Sequence, residues 1–186
     1  FVPQMKAKFG VGSFPFGYFN RGQIWDESMA MVQGELNRKT KLGLAINTTI
    51  NNTTVDATVR VKFDVTTSEK LSIVVVLLED SLIYSQSNIY NYNFDSPFYG
   101  LGDPIPNYRH NNVLRVAATD IFGDVIPTAV QKKNETWEKT YSINAANYNL
   151  TNCKIVAYVQ YTQNDVSRWG VLNAQVTKAG NNAGFD

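Results

Sequence analysis

One histidine, His110, and one cysteine, Cys153, are the strongest candidates for a base, a nucleophile or a metal ligand in this chain. Each such role needs partners: a second histidine, an activated serine or a paired thiol. None is supplied, because no Gly-x-Ser-x-Gly, His-Glu-x-x-His or phosphate-loop pattern occurs. His110 is therefore expected as a structural strand-entry histidine holding one or two hydrogen bonds. Cys153 lies in Cys-Lys-Ile-Val-Ala-Tyr-Val and is expected as a buried thiol. A single cysteine also excludes an internal disulfide and a cysteine-based metal site. Glu79, Asp80, Asp95 and Asp103 could converge on a hard cation, but they lack the alternating Asp spacing of a calcium loop. Glu79 and Asp80 are expected instead to pair with Arg109 or Arg115 as structural clamps on a long loop. No catalytic residue, metal or cofactor is assigned, and the chain is read as non-enzymatic.

That loop holds the residues best suited to recognition. Between Asp80 and Arg109 lie Tyr84, Tyr90, Tyr92, Phe94, Phe98, Tyr99 and Tyr108, interleaved with Asn88, Asn91, Asn93 and Asn107. Tyrosine and asparagine together give flat apolar area with hydrogen-bonding tips, suited to sugar rings or a protein partner. Tyr90, Tyr92, Phe98, Tyr99 and Tyr108 are the expected ligand contacts. A second reading has the same rings fold back to cover the end of the core, since so much apolar area is seldom left open.

The elements that must position this loop are strands. Thr54–Asp64 alternates, with Val55, Ala57, Val59, Val61 and Phe63 on one face and Asp56, Thr58, Arg60 and Lys62 on the other. Leu71-Ser-Ile-Val-Val-Val-Leu-Leu78 is near-continuously apolar, the mark of a central strand buried on both faces. Further strands are predicted over Leu42–Thr49, Glu69–Leu78, Val113–Ala118, Pro127–Lys132, Glu135–Ile143, Lys154–Thr162 and Gly170–Thr177. Asn51-Asn52 signals a hairpin turn. Seven to eight antiparallel strands separated by turns point to a mainly β fold. It is read as an immunoglobulin-like or jelly-roll β-sandwich over residues 41–180.

Composition bounds the partners. The 186 residues are 44% hydrophobic and 12% aromatic, enough for a substantial core, and the net charge is +1. With no basic stripe, nucleic acid is not an expected partner. No apolar run approaches the ~18 residues of a membrane span. The sequence begins at Phe1 without an initiator methionine, which reads as a processed product or a fragment, so that membrane contact would come only through an anchor absent from this chain.

Residues 1–38 differ in character. A short helix from Gln4 to Phe9 is expected, then a Gly/Pro turn, a short strand, and a helix capped by Asp26 with Ile24, Met29, Val32 and Leu36 on its apolar face. The run Phe9-Gly-Val-Gly-Ser-Phe-Pro-Phe-Gly-Tyr-Phe-Asn-Arg-Gly22 resembles the second half of a thioredoxin-like domain. That resemblance implies a cis bond before Pro15, a structural role for that proline, and a strand over Phe16–Asn20. The Cys-x-x-Cys pair that such redox chemistry needs is missing. The alternative is a Gly/aromatic lead-in packed on the sandwich edge. Under either reading the segment is expected to dock on the β-domain or on a second copy of the chain.

From Lys41 to Lys178 the chain resembles the carboxy-terminal domain of the 28-kDa outer-membrane protein family of Bacteroides-type bacteria. The residues that carry the resemblance are Leu71-Ser-Ile-Val-Val-Val-Leu-Leu-Glu-Asp80, Gln86, His110-Asn-Asn-Val-Leu-Arg115 and Phe122-Gly123. Ile155-Val-Ala-Tyr-Val-Gln160 and Val171-Leu-Asn-Ala-Gln-Val176 complete it. It implies a lipid-anchored or exported envelope protein, a surface receptor or adhesin, with a thioredoxin-like lobe before an immunoglobulin-like sandwich. The leading expectation is a surface module that binds protein or glycan through the aromatic loop. The alternatives are an accessory part of an extracytoplasmic thiol–disulfide protein, or an assembly domain that pairs between copies of the chain.

Overall fold

The computed structural model describes residues 1–12, 16–25, 28–36, 38–163 and 168–185. Its elements are α1 (Val2–Phe9), β1 (Tyr18–Phe19), β2 (Gln23–Ile24), α2 (Met29–Leu36), β3 (Leu42–Asn51), β4 (Thr54–Phe63) and β5 (Leu71–Glu79). They continue with β6 (Leu82–Gln86), β7 (Ile105–His110), β8 (Val113–Ala117), β9 (Asp124–Ile126), β10 (Thr136–Asn144), β11 (Cys153–Tyr161), β12 (Val171–Lys178) and β13 (Asn182–Ala183).

Two antiparallel sheets form a sandwich. One has the order β10-β4-β3-β13; the other runs β12-β11-β5-β8, with β9 also paired to β5. The alternation in β4 aims Val55, Ala57, Val59, Val61 and Phe63 into the core, where they meet Leu71, Ile73, Val75 and Leu77 of β5 and Ile155, Ala157 and Val159 of β11. Asn52 takes φ 54° at the tip of the β3–β4 hairpin, the left-handed conformation an asparagine tolerates.

β5 is buried on both faces. Leu71, Ile73, Val75 and Leu77 point between the sheets, while Ser72, Val74 and Val76 are equally shut from water on the other side. What covers that outer side is the chain's first segment together with the 118–123 loop. Phe9 of α1 packs on Phe122 and edge-on against Trp169, with ring centroids 6.3 and 6.1 Å away. Asn20 accepts a hydrogen bond from the Val171 backbone N–H at 2.9 Å, and Arg38 donates to the Val171 carbonyl. The segment thus docks on the outer face of the second sheet and on the start of its edge strand β12.

The 118–123 loop approaches β5 closely. Gly123 has φ 97°, and a Cβ there would sit 2.8 Å from the Ile73 carbonyl oxygen, so only glycine fits without backbone movement. On the same edge, the Thr119 hydroxyl accepts from the Val75 N–H at 3.3 Å, replacing a strand partner.

Several expectations change. The strand read over Pro127–Lys132 is a 3₁₀ turn at Thr128–Val130, preceded by the short strand β9. Pro127 cannot donate to a ladder, and Gln131 folds inward, its buried Nε2 donating to the Ile126 carbonyl at 2.9 Å. Among the described residues the sandwich has nine paired strands, seven that were expected plus β9 and β13, which are too short to show a period. The helix expected across Trp25–Leu36 is α2 alone, and its intended apolar face is not buried: Ile24 lies in β2, and Ile24, Met29 and Leu36 are all exposed. Pro15 and Asp26 lie outside the described residues.

Because β5 is packed from both sides, Leu77→Ala should cost about 2–5 kcal/mol of unfolding free energy, the range for a deeply buried leucine. Val125→Ala in the exposed part of β9 should change it by less than about 0.5 kcal/mol. Urea denaturation of the two variants checks the contrast, and equal losses would contradict the burial of Leu77 between the sheets as the source.

Candidate binding arm

Where the long loop was expected, β6 and β7 pair with each other and with neither sheet of the sandwich. Leu82 faces His110, Ile83 faces Arg109 and Tyr84 faces Tyr108, so the β5–β8 pair continues outward as a two-stranded arm. Sequence reading missed these strands. Their signal was faint, since Leu-Ile-Tyr is only three residues long and β7 carries Pro106 and a positive φ at Asn107.

A compact joint separates arm from sandwich. Ser81 and Asn112 both adopt left-handed φ, 64° and 57°, and break the ladder on the two strands at neighbouring positions between the Glu79–Val113 and Leu82–His110 pairs. Side chains replace the lost pairing: Asn111 accepts from the Ser81 N–H at 3.0 Å, and Asp80 from the Asn112 N–H at 2.6 Å. The other Asp80 oxygen is 2.8 Å from Lys154 Nζ. The hydrogen bond from Lys154, followed by that from Asn112, holds the Asp80 carboxyl below the usual aspartate range.

Glu79, one residue earlier, is buried at the end of β5. Its Oε2 lies 3.2 Å from Arg115 Nε, its Oε1 accepts from the Asn149 N–H at 2.9 Å, and Arg115 stacks 4.7 Å above the Tyr148 ring. Burial, and then the Glu79 charge, push the neighbouring Cys153 thiol up to about 11. Arg109 is exposed on the arm and enters no ion pair among the described residues, so the clamp uses Arg115 and Lys154. His110 ends a strand instead of opening one. It sits edge-on to Tyr108 at 5.0 Å, and its Nε2 is buried without a hydrogen-bond partner among the described residues.

The apical loop, residues 87–104, is built around Asn88, which is 4% exposed. Its side-chain amide donates to the carbonyls of Phe98 and Gly102 at 2.9 and 3.0 Å, and its Oδ1 accepts from the Tyr90 N–H at 3.1 Å. Asn91 adds an Oδ1 acceptor for the Gly102 N–H at 2.8 Å, and Asp103 accepts from the Asn88 N–H at 2.8 Å. Asp103 is thus committed to the loop, and no three of the described His, Cys, Asp or Glu residues gather to hold a metal. Every bond in this set ties the loop to itself.

The five expected contact residues divide into two groups. Tyr90, Phe98 and Tyr108, with Ile89 and Ile105, wall a cavity of about 400 Å³, to which Gln86 adds a polar group. Tyr92 and Tyr99 lie outside it. Tyr92 is 85% exposed, and Tyr99 pairs at 4.3 Å with the ring of Phe94, itself 81% exposed. The rings therefore do not close over the sandwich end.

The sequence matches the outer membrane protein Omp28 family over residues 3–183. The chain belongs to that family. As an Omp28-family protein it is a component of the bacterial outer membrane. No helix among the described residues is long and apolar enough to cross a membrane, which leaves strand-borne insertion unaddressed. HBP35 of Porphyromonas gingivalis shares the fold, with a TM-score of 0.69 and 14% identity over 96% of this chain. The chain spans 56% of that protein's length, and at this identity the likeness speaks for the fold alone. No curated protein matches the sequence.

A carboxylate whose folded pKa is depressed stabilises the joint above its ordinary pKa and loses that contribution as pH falls through the folded value. The Asn112 amide proton should therefore titrate with a midpoint below ~3.9, the ordinary aspartate value. An NMR pH titration checks this, and a midpoint at or above that value would mean that Asp80 does not hold the joint.

Proposed function

We propose that this Omp28-family chain is a non-enzymatic surface module that binds a protein or glycan partner through the β6–β7 arm. The observation that carries the reading is an internally bonded loop that displays Tyr92, Phe94 and Tyr99 to solvent beside an aromatic cavity. Water-exposed rings on a loop that already meets its own hydrogen-bonding needs are available to a partner at low ordering cost. Tyr90, Phe98 and Tyr108 would take a side chain or a sugar face, while Tyr92 and Tyr99 would contact the surface around it. Membership in an outer-membrane family supports a partner met at the cell envelope. Lipid anchoring and an adhesin-like role belong to this same proposal.

Residues 1–38 are proposed as part of a thioredoxin-like lobe, a reading supported by the order helix, two short strands, helix. In this role the lobe packs and supports; Cys153 is buried in the sandwich and far too basic to act as a thiolate near neutral pH.

The combined replacement Tyr92→Ala, Phe94→Ala and Tyr99→Ala removes the exposed rings without touching Asn88 or its bonds. Glycan-array and surface-protein-array binding by the wild-type chain should fall at least about tenfold in the triple variant, with the melting temperature unchanged within roughly 2 °C. Wild-type binding retained by the variant would exclude the arm as the binding surface.

A further inference from the structure

A second cavity, of about 360 Å³, lies between the first segment and the outer face of β11. Phe9, Phe16, Tyr18 and Tyr158 are among its walls, and Arg21 is the one charged residue among the described residues that line it. The guanidinium sits 5.4 Å from the centroids of both the Phe9 and the Tyr158 rings. Its Nη1 donates to the Tyr158 hydroxyl. Its Nε and Nη2 are shut from water and have no hydrogen-bond partner among the described residues.

A largely buried cation with unspent donors and no counter-charge among the described residues is costly, since burial removes water and one hydrogen bond with two ring faces replaces it only in part. Burial correspondingly draws the guanidinium below its ordinary arginine value, opposed by the contact with Tyr158. The two free donors are a specific pair. Nε–H and Nη2–H lie parallel along one edge of the guanidinium, the edge that grips both oxygens of a carboxylate. The surrounding wall is aromatic and apolar, which suits a hydrocarbon body and disfavours a multiply charged, strongly hydrated anion. The volume falls at the low end of small-molecule pockets.

We propose that this cavity binds a small apolar monocarboxylate, its carboxylate held by Nε and Nη2 of Arg21 and its body packed against Phe9, Phe16 and Tyr18. Among the described residues the guanidinium's hydrogen bond is the one to Tyr158, and because Nε and Nη2 are shut from water as they stand, binding requires the side chain to rotate and turn that edge to the ligand. The site is separate from the arm and stands or falls independently of it.

Octanoate is the probe, with 1-octanol and inorganic phosphate as comparisons, all measured by isothermal titration calorimetry. Octanoate should bind the wild-type chain saturably at one site, and Arg21→Gln should weaken it at least about tenfold. Arg21→Lys, which keeps the charge but loses the fork, should also weaken it. Octanol should bind wild type and Arg21→Gln alike, and phosphate should not compete. Equal octanoate affinity in wild type and Arg21→Gln, displacement by phosphate, or no saturable binding would each overturn the proposal. A readout on the wild-type protein covers the case in which the variants fail to fold. Octanoate methylene protons should show nuclear Overhauser contacts to Phe9 and Tyr18, and contacts only to Tyr90 and Phe98 of the arm would overturn it.

Discussion

Burial of β5 on both faces is the constraint from which the rest of the molecule follows. A strand with Val74 and Val76 on one side and Ile73, Val75 and Leu77 on the other cannot sit at a solvent-facing sheet surface. One side is met by the opposing sheet, whose β4 supplies a matching apolar row. The other is met by the aromatic group of Phe9, Phe122 and Trp169, and by the buried Arg21–Tyr158 pair. Each fully buried aliphatic side chain contributes roughly 1.5–3 kcal/mol. The first segment, through Phe9, Asn20, Arg21 and Arg38, is thereby a covering layer of the sandwich.

The same strand sets the geometry of the arm. β5 ends on Glu79, whose buried charge is matched by Arg115 and by the Asn149 N–H, and Asp80 then fixes the turn outward. Breaking a buried pair of this kind strands a charge, so the end of β5 is held firmly. Beyond it the arm has no sheet to lean on, and a two-stranded hairpin alone is marginal in water. The side-chain amides of Asn88 and Asn91 supply what the sheet does not. Their network gives the exposed rings a defined platform, and this joins a stable scaffold to a recognition surface.

The sandwich was legible in the sequence because its strands are long and their burial is one-sided or complete. Val55 to Phe63 alternate without a break, and Leu71 to Leu78 are apolar without a break. The arm was legible only as composition. Tyr and Asn marked it as a surface for recognition, but the pairing of β6 with β7 depends on Asn112 and Ser81 taking positive φ thirty-one residues apart, which no local pattern reports. Arg115 and Arg109 were indistinguishable as partners of Glu79 until the register placed one beside it and the other out on the arm. Pro127 was misread as opening a strand although its missing N–H argued against it. The Arg21 cavity had no sequence signal at all, because it forms between the first segment and a strand more than a hundred residues away.

Site-resolved amide hydrogen exchange tests most directly whether a rigid sandwich carries a separately ordered arm. The account predicts the slowest exchange in β5 between Leu71 and Leu77, approaching global unfolding. It predicts clear protection of the Gly100 and Gly102 amides within the arm, whose partners are the Asn91 carbonyl and side chain. Gly100 and Gly102 should open well before β5 does. Exchange across residues 87–104 at the rate of an unstructured peptide would contradict the account.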